Sequence, residues 1–258
     1  MRVSRAPLIH ALGLPAEGTL VSIVGGGGKS ALLFALGREL PGRVLLTTTT
    51  RIFASQIGLA TESCEVEGKG FEAKLAAGVS GLLVIGRIDG DRALGVAPSL
   101  PAQWLARDEV QHVIVEADGS RMRPAKAPAE HEPVIAEGST HVAVVVGIDA
   151  LDAPIAVATH RPERVSALLS LPQDASLGCE DLARLISHPK GGLQGVPDTA
   201  RAIAVINKVE GAEREAKAAM IAEVALREPR IERVICGAVE GGDSGGWMVY
   251  RRAADFES

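Results

Sequence analysis

Residues 19–30 read Thr-Leu-Val-Ser-Ile-Val-Gly-Gly-Gly-Gly-Lys-Ser, and the choice of fold turns on this stretch. An apolar run over residues 20–24 stops at four glycines. Lys29 and Ser30 follow, then a helix-like run over residues 31–40. Strand, glycine loop, Lys-Ser and helix is the physical plan of a phosphate-binding loop. Glycine lets successive amides approach an anion with no side chain in the way. The helix start adds unpaired N–H groups and a favourable dipole. The spacing is short, however. The Walker A pattern needs a glycine five positions before Gly28, and Ile23 stands there. The loop is therefore G-x-x-G-K-S over residues 25–30. A purely structural turn is the competing reading. The expectation is that Gly25, Gly26, Gly27, Gly28, Lys29 and Ser30 cradle nucleotide phosphates.

Working outward, residues 44–47 read as a second strand running into Thr47, Thr48, Thr49 and Thr50, with Arg51 next. β-branched hydroxyl residues can simply continue a strand. They can also bring hydroxyls to the sheet edge beside the loop, which makes Thr49 and Arg51 candidates for contact with a terminal phosphate. Residues 82–85 form a further short strand. Residues 112–115 form another and enter Glu116-Ala117-Asp118-Gly119-Ser120. Alternate residues of a strand share one side, so Glu116 and Asp118 can act together. Nucleotide enzymes of this kind place a carboxylate at a neighbouring strand end to hold Mg2+. Ser30 and Asp118 are thus expected at the cation, with Glu116 as a further cation contact or as the group that orients water. The two carboxylates could exchange these roles, or be ordinary acidic turn residues.

Residues 121–140 form a long irregular excursion after this acidic strand end, in the position of a lid or substrate loop. Residues 141–147 are almost continuously apolar, as in a strand buried on both faces. A strand over residues 202–206 leads into Asn207-Lys208-Val209-Glu210. Strand followed by N-K-x-D is a guanine-recognition arrangement in many GTP-binding proteins. Glu210 keeps the acceptor but adds a methylene. Asn207, Lys208 and Glu210 are therefore candidates for a purine pocket, with ATP and GTP both open. Elsewhere, residues 1–19 read as a helical or irregular lead-in, and residues 54–81 as a solvated surface segment. Residues 240–246 read as a flexible glycine-rich stretch, and residues 247–250 as a last edge strand or hairpin.

The chain has 258 residues, 47% of them hydrophobic, enough for one sizeable core. The pattern predicts an α/β, P-loop NTPase-like three-layer fold with a mostly parallel central sheet. It is read as one domain over residues 1–258, elaborated at 119–140 and ending in a small strand or hairpin at 240–258. A formal net charge of −5 argues against broad nucleic-acid binding. Cys64, Cys179 and Cys236 are far apart and suit a reducing, cytoplasmic setting. No run reaches the about 18 apolar residues of a membrane span.

GGGGKS at residues 25–30, TTTTRIF at 47–53 and VEADGSRMRPAKAPAEHEP at 115–133 are joined by VVVGIDAL, HRPE, HPKGGLQG and INKVE. Together they resemble the YqeC family over most of residues 20–210. That resemblance implies a P-loop NTPase-like protein that assists selenium-dependent molybdenum hydroxylases, helping to mature or insert their cofactor. Thr47 to Arg51, Glu116, Asp118, Gly119, Arg121 and Lys126 would complete the family-like cleft, and Glu130, His131 and Glu132 match its lid. A client molybdenum enzyme or cofactor-handling protein is the implied partner, and a homodimer is compatible with the sequence. The expected activity is Mg2+-dependent nucleotide binding with slow or partner-stimulated hydrolysis. A kinase or transferase acting on a cofactor precursor, or a non-catalytic nucleotide-binding module, are the alternatives.

Overall fold

The computed structural model describes residues 1–68, 70–239 and 246–253. Lys69, residues 240–245 of the expected glycine-rich stretch and residues 254–258 lie outside them.

All seven residues of Val-rich β7 (His141–Gly147) are buried, as expected of a strand covered on both faces. Nine further strands complete its sheet. They are β1 (Arg2–Ala6), β2 (Thr19–Gly25), β3 (Val44–Thr48), β4 (Glu62–Glu65), β5 (Leu82–Ile85), β6 (His112–Glu116), β8 (Arg201–Asn207), β9 (Ile231–Cys236) and β10 (Trp247–Arg251). Their order is β1-β10-β9-β8-β7-β2-β6-β3-β5-β4. From β9 to β4 every pair is parallel, while β10 is antiparallel to both β9 and β1.

The period-2 alternation of side chains divides the core into two layers of apolar contact. Val21 and Ile23 of β2, with Ala143 and Val145 of β7, pack beneath α1 (Leu8–Leu12) and α2 (Lys29–Glu39). On the opposite face, Leu20 of β2 meets α3 (Gly70–Ala76) and α4 (Leu100–Leu105). Val142, Val144 and Val146 of β7 meet α5 (Ile155–Ala158), α6 (Pro162–Leu169), α7 (Cys179–Ser187) and α8 (Ala212–Ala225). The result is helices, mostly parallel sheet, helices. Leu32 and Leu36 of α2 are wholly buried, each contributing roughly 2 kcal/mol through area removed from water.

The topology places one strand end apart from the rest. The chain leaves β2 through α2 and crosses to β3, which leaves room for β6 between them. The later return puts β7 on the other side of β2. The crevice at the carboxyl end of β2 is therefore a switch point, where open α/β sheets bind ligands. The glycine loop lies there.

Three segments differ from the sequence reading. The N-terminal lead-in contains a strand, β1, whose largely exposed RVSRA carries too little apolar signal to show as one. By pairing with β10 it makes β10 an interior strand and not an edge. Within residues 54–81, Glu62–Glu65 joins the sheet as its other edge, and Phe71 and Leu75 of α3 enter the core. Charged residues on an edge strand discourage pairing with other chains, and they also mask the strand from pattern reading.

Candidate functional site

Parallel register brings the functional segments to one level. Ile23 of β2 stands opposite Glu116 of β6, Gly25 opposite Val145 of β7, and Gly147 of β7 opposite Asn207 of β8. The glycine loop is thus bordered by the ends of three neighbouring strands.

Its conformation accounts for two of its glycines directly. Gly27 has φ 72°, and a Cβ there would lie 2.1 Å from the Gly147 nitrogen. Gly28 has φ 119°, and a Cβ there would lie 2.2 Å from Asn207 Nδ2. Both positions need a residue that tolerates positive φ and has no side chain. The glycines therefore have a structural role at these two positions, whatever the loop binds.

The loop amides fall into two groups. Gly25 donates to both Asp118 carboxylate oxygens at 3.1 Å, Gly26 to the Val145 carbonyl at 2.9 Å and Gly27 to the Arg123 carbonyl at 3.1 Å. The amides of Gly28, Lys29, Ser30 and Ala31 have no protein acceptor among the described residues. They open the first turns of α2, which has no capping side chain. An anion would be met by this second group, at the positive end of the helix.

Lys29 is buried. Its Nζ donates to the Gly25 carbonyl at 2.9 Å and lies 3.4 Å from Asp118 Oδ1 and 3.7 Å from Glu116 Oε1. A phosphate in the loop would compete with those carboxylates for the ammonium. Ser30 Oγ donates to Glu116 Oε2 at 2.7 Å and accepts from Gln56 Nε2 at 2.8 Å. Gln56 comes from a 3-10 segment in the weakly patterned region and had no signal in the sequence. Burial pushes the Glu116 carboxyl above the usual carboxylate range, against the opposing pull of Lys29 and the Ser30 hydroxyl.

Ser30 and Glu116 present the kind of hard oxygens that a magnesium ion would need. Mg2+ takes hard oxygen ligands at about 2.0–2.1 Å in octahedral geometry, which puts adjacent ligand oxygens about 2.9 Å apart. Ser30 Oγ and Glu116 Oε2 are already at a comparable separation, 2.7 Å. Asp118, by contrast, is engaged by the Gly25 amide, Lys29 and Lys126. Ser30 with Glu116 is therefore the better-placed oxygen pair. Among the described residues no cluster of three or more His, Cys, Asp or Glu side chains is arranged to hold a metal.

A chain of ion pairs leads away from the loop. Asp118 meets Lys126 at 2.9 Å, Lys126 meets Glu132 at 2.7 Å, and Arg161 clasps Glu132 at 2.7 and 3.0 Å. Burial would raise the Glu132 carboxyl, but hydrogen bonds from Arg161 and Lys126 bring it down to about 2. This pairing uses Glu132 from the Glu130-His131-Glu132 lid segment. The same excursion is fastened at its start, where the Gly147 amide donates to the Pro124 carbonyl at 2.8 Å.

The other expected residues divide. Asn207 reaches the loop, its Nδ2 donating to the Gly27 carbonyl at 2.8 Å while its Oδ1 accepts from the Val239 amide at 3.1 Å. Lys208 pairs with Asp149 at 2.6 Å, and Glu210 is exposed. Thr47 and Thr48 spend their hydroxyls on the Val84 and Glu116 carbonyls, and Thr49 donates to the Val134 carbonyl at 2.5 Å. Arg51 is exposed. The three cysteines are free, and burial raises each thiol's pKa, which disfavours the thiolate form of each.

A family model described as "YqeC protein" matches residues 21–163. That span includes the loop, Glu116, Asp118, Lys126, Glu132 and Arg161, and ends before Asn207. The chain is 33% identical over 210 residues to the protein described as "Uncharacterized protein YqeC" from Escherichia coli (strain K12), covering 80% of this chain and 82% of that relative. No solved structure matches.

Proposed function

The chain belongs to the YqeC family, and on that premise we propose that it is a P-loop NTPase-like protein that binds a purine nucleotide with Mg2+. One observation carries the reading. Lys29, Ser30 and Glu116 converge where the unpaired amides of α2 open onto the switch point of the sheet. A lysine ammonium, a hydroxyl, a carboxylate and free helix-start amides are the parts that recognise a nucleotide's phosphates and its cation. Ser30 and Glu116 would hold Mg2+, which would supply charge neutralisation at the phosphates.

In this reading the amides from Gly28 to Ala31 hold the phosphates, and Lys29 leaves its carboxylates to face them. Asp118 keeps the Gly25 amide in place. Where Asp118 takes the cation instead, Glu116 would be free to orient an attacking group. Asn207 holds the Gly27 carbonyl and so fixes the loop against β8. The proposed outcome is slow or partner-stimulated hydrolysis of ATP or GTP within one domain. The family resemblance supplies the client, a molybdenum hydroxylase or a protein that handles its cofactor.

A second reading is transfer to another substrate. It is favoured by the basic cavity beside the lid, lined by Arg121, Arg123 and Arg161. Phosphate release from ATP and GTP, measured with Mg2+ and with or without a molybdenum hydroxylase client, separates the readings. Release that depends on the client and is lost in Glu116→Gln supports the accessory NTPase. A phosphorylated or nucleotidylated small molecule supports transfer. Nucleotide binding with no turnover in any of these conditions supports a binding module.

A further inference from the structure

The excursion at residues 121–126 has two chemically different sides. The Arg123 carbonyl accepts from the Gly27 amide of the loop, while the Arg123 guanidinium donates to the Val157 carbonyl on the far side. On that far side lies a cavity of about 410 Å³ lined by Arg121, Arg123, Thr159, His160, Arg161 and Glu163, among others. Three arginines and one carboxylate, Glu163, are among its lining residues. Arg161 is held in place by Glu132, whose other cationic partner is Lys126, so the cluster is tied to Asp118 at the loop.

Backbone strain gathers at the same place. Arg121, Met122 and Arg161 have φ of 48°, 62° and 61°. Non-glycine residues seldom adopt this conformation, and where they do, the surroundings enforce it at ligand-contacting sites more than elsewhere. Arg161 also precedes α6, an eight-residue helix with no side-chain cap, so the helix start faces the arginine cluster. Burial, then Arg161 and Lys126, pull the His160 imidazole down to about 4. His160 is therefore neutral at pH 7 and can donate one hydrogen bond.

We propose that this cavity binds the phosphate group of a small organic phosphomonoester, a second ligand distinct from the nucleotide. Arg121 and Arg123 supply the exposed charge, Arg161 a fixed guanidinium, and His160 a neutral polar contact. Guanidiniums match phosphate oxygens bidentately and keep their charge at all working pH values. A cavity of about 410 Å³ is far larger than one phosphate needs and falls in the range of small-molecule sites, which leaves room for an organic body. The inference extends the nucleotide reading by giving the site a neighbour, but the binding itself does not depend on that reading.

The test uses the full chain and the imidazole signals of His160, assigned with His160→Gln, during titration with phenyl phosphate and, as a control, phenol. The expected result is a saturable shift with phenyl phosphate alone, and a His160 pKa that rises as the dianion binds. The double variant Arg121→Ala/Arg123→Ala changes two exposed side chains and is expected to weaken binding by about tenfold or more. Excess ATP with Mg2+ is expected to leave the affinity for phenyl phosphate within about twofold. An unmoved His160, unchanged affinity in the double variant, or displacement of phenyl phosphate by nucleotide would each overturn the proposal. Phenyl phosphate binding without any ATP or GTP binding supports this site while removing the nucleotide reading.

Discussion

Asn207 Nδ2 donates to the Gly27 carbonyl at 2.8 Å, joining the end of β8 to the glycine loop across 180 residues of sequence. Its Oδ1 accepts from the Val239 amide, so one buried side chain ties three segments together. The Asn207→Ala variant leaves a buried carbonyl and an amide unpaired. It is expected to lose about 1–3 kcal/mol of stability. For a chain of this size that is a fall in melting temperature of about 2–4 °C per kcal/mol, read by thermal denaturation. Nucleotide affinity should fall as well, because Gly27 is released.

Gly28 tests the loop from the other side of the same contact. Alanine at φ 119° is strained, and its Cβ would meet Asn207 Nδ2 at 2.2 Å. The Gly28→Ala variant is expected to cost about 1–3 kcal/mol from the backbone alone. If its melting temperature equals that of the wild type, the loop geometry described here is wrong.

Ser30 and Glu116 are expected to act in the Mg2+-dependent part of binding. Removing either oxygen, in Ser30→Ala or Glu116→Gln, should lower nucleotide affinity by about tenfold or more with Mg2+ present and change it little with EDTA. Equal losses with and without the metal would point to a structural defect.

Acid sensitivity is expected in two windows. His141 and His160 are both held down to about 4, burial being the main cause for each. His141 is pressed further by Arg201 and Arg233, and its Nε2 has no partner among the described residues. Between about 6.5 and 4 the unfolded imidazoles bind protons that the folded ones refuse, so stability falls as pH falls. Glu132 behaves differently. Its carboxyl is depressed from 4.5 to about 2, so its contribution is present above 4.5 and is lost as pH falls toward about 2. Denaturant titrations across pH 3–8 should show both slopes, about as predicted by linkage. The Glu132→Gln variant should flatten the lower one and, because the Glu132 charge opposes the fall of the His160 pKa, extend the upper one to lower pH.

Much of the sheet was legible because buried parallel strands are near-continuous apolar runs. β2, β5, β6, β7 and β8 announce themselves this way. Glu116, Asp118 and Asn207 were legible because each directly ends or follows such a strand. What was hidden had no periodicity to read. β1 and β4 are short and polar, and their strand character comes from backbone pairing at the sheet edges. Gln56 reaches Ser30 from a 3-10 turn. Lys126, Glu132 and Arg161 meet because residues 125–126 pair in parallel with residues 159–160, two-residue strands too short to show a pattern. The threonines at 47–49 show the opposite effect: their hydroxyls mimic a phosphate-facing row, yet in this structure they bond to backbone carbonyls.

Calorimetric titration of the chain with ATP and with GTP, each with and without Mg2+, bears most directly on the role given to Lys29, Ser30 and Glu116. Saturable binding of at least one nucleotide, strengthened by Mg2+ and weakened about tenfold or more in Lys29→Ala, is the expected result. Absence of binding by either nucleotide at about millimolar concentration, a Kd scale near −4 kcal/mol, would contradict it.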